Sequence, residues 1–177
     1  MFRVRRGMAA TLAWLCVMAG LPAHAQVGEP ELKAAYVFNF IQFIDWPARD
    51  MPAGEDITVC VSSFSPLRRA LQALDGKPVP GGRQVRVRLL EAGDLKACRV
   101  LVMDRADPEP IGRAFRTLPE SHGVLSITED AAPGAQEAVI VLSRQDGRIV
   151  FGINAEAATR AGLSISSKLM RLARGVR

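Results

Sequence analysis

Polar side chains cluster at three points of this 177-residue chain, each directly after an apolar run: Ser62 and Ser63, Asp104 and Arg105, then Thr128, Glu129 and Asp130. If those runs are neighbouring strands of an open α/β sheet, their carboxyl ends converge where such sheets hold ligands. Ser62, Asp104, Thr128 and Asp130 are then candidates to hold a divalent cation or a small polar molecule. A plainer reading stays open beside it, because strand-to-helix loops use Ser, Thr and Asp to cap backbone groups.

Sharper chemistry is missing. His24 and His122 are the two histidines, and neither belongs to a C-x-x-C or H-E-x-x-H ligand set. No G-x-S-x-G elbow offers a hydrolase nucleophile, and no glycine-rich loop could cradle phosphate. Ser166-Ser167-Lys168 has the composition of a Ser–Lys dyad, but adjacent residues on a helix do not face each other, and serine is a common helix opener. The expectation is no catalytic residue, no metal and no cofactor.

The elements that must position these groups alternate. Glu31–Trp46 reads as a helix stopped by Pro47, largely apolar, with polar relief from Asn39, Gln42 and Asp45 at intervals of three. So apolar a helix is either buried core or part of an interface, and Tyr36, Phe40, Phe43 and Trp46 are the residues such an interface would use. Ile57–Val61 reads as a buried strand, Pro66–Leu74 as a helix, and Gln84–Leu90 as a half-exposed strand with Val85, Val87 and Leu89 on one face. Its other face carries Arg86 and Arg88, which suit either charge protection of a sheet edge or a partner patch. A helical turn at Asp94–Ala97, a strand at Arg99–Met103, a helix at Pro108–Leu118 and a strand at Val124–Ile127 follow.

Ala138–Leu142 and Ile149–Ile153 then flank Asp146-Gly147, a hairpin signal. Asn154 is a helix cap, Gly162 a stop, and a last helix begins near Ser166 with Lys168, Arg171 and Arg174 on one stripe. The expected fold is α/β: a mixed, mostly parallel sheet flanked by helices on both faces, with a C-terminal β-hairpin and helices.

The amino end reads as an address. Arg3, Arg5 and Arg6 precede an uncharged apolar stretch from Met8 to Leu21, and Ala23-His24-Ala25 has the small-x-small form of a cleavage site. That order describes a secretory signal peptide over residues 1–25, and the apolar stretch is shorter than the roughly 20 residues a membrane-spanning helix needs. Trp14 and Leu15 before Cys16 speak against lipid attachment. The remaining residues, 26–177, form one domain. Losing the leader removes three bases and no acid, so the formal charge falls from +5 to +2. So small an excess gives no case for nucleic-acid binding. Cys60 and Cys98 remain, and in an oxidising compartment they are a disulfide candidate worth roughly 3–4 kcal/mol by loop closure. Two buried free thiols are the alternative.

Residues from Leu32-Lys33-Ala34-Ala35-Tyr36 to Trp46-Pro47 resemble the opening motif LKAAFIYNFxxFxxWP of the YfiR-like proteins. Phe151-Gly152-Ile153-Asn154, Gly162-Leu163 and Ile165-Ser166-Ser167-Lys168-Leu169 resemble its closing stretch. The resemblance implies a periplasmic regulator without catalysis. Its membrane partner would be an inner-membrane diguanylate cyclase or sensor protein, whose repression lowers cyclic di-GMP and biofilm formation. An outer-membrane lipoprotein that sequesters the repressor and a homodimeric state are also implied. By position Cys60 and Cys98 match the family's disulfide, whereas the second bridge of some members has no counterpart after Cys98. The competing expectation is a periplasmic small-molecule sensor built on the strand-end polar groups.

Overall fold

A computed structural model describes residues 28–47, 54–90, 95–130, 132 and 134–177, so the signal reading of residues 1–25 and the placement of Cys16 lie outside it. The first helix, α1, spans Glu29–Ile41, with a proline in its first turn and Glu29 and Glu31 complementing the positive end of its dipole. It buries Lys33, Ala34, Val37, Phe40 and Ile41, the three- and four-residue spacing of one helical face.

This helix is shorter than its apolar sequence implies. Ile44–Asp45 leaves it to form β1, which pairs antiparallel with β9 (Ser164–Ile165). The Ser166 N–H also donates to the Phe43 carbonyl at 3.0 Å. Pairing with a distant segment overrides the local periodicity here, and Pro47 disfavours helical geometry at Trp46.

Next along the chain come β2 (Ile57–Ser62), the short helix α2 (Arg68–Gln72), β3 (Pro78–Val79) and β4 (Arg83–Leu90). A single 3-10 turn at Leu95–Ala97 leads into β5 (Val100–Met103), α3 (Glu109–Arg116) and β6 (Leu125–Glu129). The hairpin β7 (Ile140–Gln145) and β8 (Arg148–Ile153) follows, then α4 (Ala155–Arg160) and α5 (Ser167–Leu172) on either side of β9, and finally β10 (Gly175–Val176). The main sheet has the order β10-β8-β7-β6-β5-β2-β4-β3. β4, β2, β5, β6 and β7 are mutually parallel, while β3 runs antiparallel to β4 and β8 antiparallel to β7. The α/β expectation, with its mostly parallel sheet and late hairpin, holds.

Asp146 and Gly147 both have positive φ, 49° and 75°, the conformation a tight hairpin needs to match strand twist. At the other end of the sheet β3 covers only Arg83 and Gln84, so most of β4 lies at the edge. Arg86 pairs with Asp56 at 2.8 Å there. Leu89 departs from the expected alternation. It is 44% exposed, whereas Leu90 is buried on the opposite face.

The last helix is also shorter than expected. It ends at Leu172, and Arg174 lies beyond it, bonding to Gln145 Oε1 at 3.0 and 3.2 Å. Gly175 and Val176 then lie parallel to Gly152 and Ile153 of β8. β10 was invisible as a strand because two residues carry no period.

Side chains alternate across the sheet, so β2 sends Val59 and Val61 into one core and Cys60 into the other. α1, α2, α4 and α5 cover the first, larger core; the 3-10 turn and α3 cover the second. Cys60 and Cys98 form a disulfide within the second core, with Cα atoms 5.7 Å apart.

Candidate functional site

The chain changes direction at β2. From β2 it passes through α2 to β4 on one side, and from β4 it returns to β5 on the other, continuing into α3. The loops leaving the carboxyl ends of β2 and β5 therefore diverge to opposite faces of the sheet, the place where open α/β sheets form a crevice. Ser62 ends β2 and Asp104 follows β5, and both are 2% exposed.

These two candidates do come together, through two residues the sequence reading did not single out. The Ser65 hydroxyl donates to Asp104 Oδ2, and Ala106 N–H donates to Asp104 Oδ1 at 2.7 Å. Asp107 Oδ2 accepts from Asp104 N–H at 2.8 Å. Ser62 Oγ accepts from Phe64 N–H at 3.2 Å, and Ser65 Oγ from Leu67 N–H at 3.1 Å. Burial and the adjacent Asp104 charge push the Asp107 carboxyl up to about 6, against hydrogen bonds from the Asp104 backbone and the Ser62 side chain. The spacing Ser62-x-x-Ser65 and Asp104-x-x-Asp107 was the available signal, since serine and aspartate at such intervals close local turns on their own backbone.

Thr128 and Asp130 take other roles. Thr128 is 1% exposed at the end of β6 and its hydroxyl donates to the Glu129 carbonyl at 3.3 Å. Asp130 is exposed, and its N–H reaches the Leu142 carbonyl of β7 at 3.1 Å. Glu129 belongs to an ion-pair cluster: Lys33 Nζ lies 2.7 Å from both Glu129 Oε1 and Glu29 Oε1, and Arg144 lies 2.9 Å from Glu29 Oε2. Lys33 is 9% exposed. Burial pulls its ammonium down, but hydrogen bonds and charge from Glu129 and Glu29 outweigh that and raise it. The cluster pins α1 to the end of β6 and the turn end of the hairpin.

The four aromatic candidates divide by depth. Phe40 is 1% exposed, packed edge-on against Phe151 at 4.9 Å. Tyr36 is half-buried and donates to the Ile149 carbonyl at 3.1 Å. Trp46 donates through Nε1 to the Gly123 carbonyl at 3.0 Å, and Phe43 lies under Lys168 at 5.7 Å. Tyr36, Phe43 and Trp46 keep part of their rings at the surface.

The Ser–Lys pair is a cap. Ser166 Oγ accepts from Lys168 N–H at 3.3 Å. His122 sits at the amino end of β6, beside a hollow of about 400 Å³ that Arg116, Glu120 and Arg160 also line. Its Nδ1 accepts from Val124 N–H at 3.0 Å, and burial lowers its pKa. Among the described residues no three His, Cys, Asp or Glu side chains converge as a metal-ligand set, and no helix is long and apolar enough to cross a membrane.

No curated protein sequence matches the chain. Among solved structures it is similar to a conserved domain protein from Vibrio cholerae O1 biovar El Tor strain N16961. The two share 10% identity at a TM-score of 0.48, over 84% of this chain and 60% of that one. The chain thus spans less than two thirds of that protein's length. Residues 30–174, from the first turn of α1 to the residue before β10, match the YfiR/HmsC-like family. The chain belongs to the YfiR/HmsC-like family, known for periplasmic regulators.

Proposed function

We propose that this protein is a non-catalytic periplasmic regulator that docks on an inner-membrane diguanylate cyclase, or the sensor protein of one, and holds it inactive. Cyclic di-GMP falls in consequence, and biofilm formation with it. The observation that carries this reading is the family match across residues 30–174, nearly all of the folded domain. Export through cleavage after Ala25, a homodimeric state and an outer-membrane lipoprotein that sequesters the protein belong to the same proposal.

Docking suits a molecule of this build. Tyr36, Phe43 and Trp46 lie partly exposed along and just beyond α1, and large aromatic rings are good interface anchors. Phe40 would act through packing alone. The sensor reading has less support, because both oxygens of Asp104 already accept from Ser65 and Ala106.

Deleting the gene should raise intracellular cyclic di-GMP, and crosslinking in intact cells should capture an inner-membrane protein. The Phe43→Ala/Trp46→Ala variant should fold and lose that crosslink. Unchanged cyclic di-GMP together with no membrane partner would overturn the proposal.

A further inference from the structure

The rim formed by the β2–α2 and β5–α3 loops is held by an unusual pair of carboxylates. Asp104 is 2% exposed and is the acceptor on which the other loop hangs, through Ser65. Asp107 caps the Asp104 N–H through Oδ2, while its Oδ1 is buried without a hydrogen-bond partner among the described residues. An ionised carboxylate in that position has a buried oxygen to which no described group donates, next to a like charge.

The surroundings supply little relief. Asp104 is the charged group that acts on Asp107, and Ser62 contributes a hydroxyl. Arg105, next to Asp104, is exposed, and Glu109 of α3 lies 4.0 Å from its own partner Arg113. Phe64 stands between the two serines of the tie, 69% exposed and anchored by its N–H to Ser62 Oγ. A large aromatic side chain is thus held in water by a loop whose fastening runs through two aspartates.

We propose that Asp104 and Asp107 form a proton-operated catch that couples the β2–α2 loop, and the exposed Phe64 it carries, to the acidity of its surroundings. With one proton on the pair the catch is closed. When that proton leaves, two neighbouring carboxylates share the rim and the loop opens more often.

The direction follows from the carboxyl being raised from 3.8 to about 6 in the folded rim. Between those values the closed form binds the proton and the open form does not, so closure is favoured by acid and weakens as pH rises through about 6. This sign is opposite to that of an ordinary salt-bridged aspartate.

Amide hydrogen exchange reads the catch directly at Phe64, Leu67, Asp104 and Ala106, whose N–H groups bond to its side chains. After correction for the intrinsic pH dependence of exchange, their opening constant should rise about tenfold between roughly pH 5 and 7.5. Asp107→Asn, which keeps an acceptor and loses the charge, should remove that rise. Equal pH dependence in the two proteins, or none in the native one, overturns the proposal. Carboxyl NMR titration of the native protein gives a second reading that needs no variant. A midpoint of Asp107 near 6 supports the catch, and one near 3.8 overturns it.

Discussion

On the face covered by α1, Val37, Phe40 and Ile41 interlock with Val59, Val61, Leu71 and Phe151, and α2, α4 and α5 extend the same core. On the opposite face Leu90, Leu95, Leu101, Met103, Ile111 and Phe115 make a smaller cluster under one short helix and a 3-10 turn. The disulfide lies in this second, thinner layer. One side of the sheet is held by apolar volume, and the other supplements a modest volume with a covalent link. A 3-10 turn presents few side chains to a core, so the cross-link supplies there what a longer helix would supply by burial.

That contrast can be broken deliberately. Phe40→Ala removes the largest fully buried side chain of the α1 face and should cost about 3–5 kcal/mol in denaturant unfolding. Removing the bridge by Cys60→Ser with Cys98→Ser should cost roughly 2–5 kcal/mol, and reducing the native protein should reproduce the loss. Because the two sites lie on opposite faces, combining Phe40→Ala with reduction should give additive losses within about 0.5 kcal/mol. Strong non-additivity would mean that the two sites are energetically coupled through the sheet. Mass analysis finding two free thiols in the native protein would remove the basis of the contrast altogether.

A smaller effect is expected where α1 is tied by charge. Lys33→Ala leaves Glu29 and Glu129 facing each other without their shared cation, and should destabilise by about 1–3 kcal/mol. Two further groups should give opposite pH slopes. His122 is held below its ordinary value by burial, so its contribution is lost as pH falls below about 6.5, whereas Asp107 favours the fold as pH falls. They sit at opposite ends of the strands, so exchange at Val124 and at Ala106 should separate them.

Much of the framework was legible early because it rests on local chemistry. Asp146-Gly147 announced its hairpin, Asn154 its helix through the bond from Ala157 N–H at 2.9 Å, and the apolar runs of β2, β5 and β6 their burial. The candidate site was half legible. Ser62 and Asp104 stand where strand ends were expected; the spacing of Ser65 and Asp107 signalled only local turns, three-dimensional proximity joined them into one rim, and Thr128 and Asp130 turned toward other partners.

Periodicity, turn residues and cysteine number thus determined the fold class, the order of elements and the pair of sulfurs available to join, since each depends on residues close in sequence or few in number. Tertiary structure decided where α1 stops, that Gly175–Val176 becomes a strand, and that two aspartates share a buried rim. Those outcomes depend on which distant backbone donors and acceptors meet, and a two-residue strand or a buried carboxylate has no period or motif by which to announce itself.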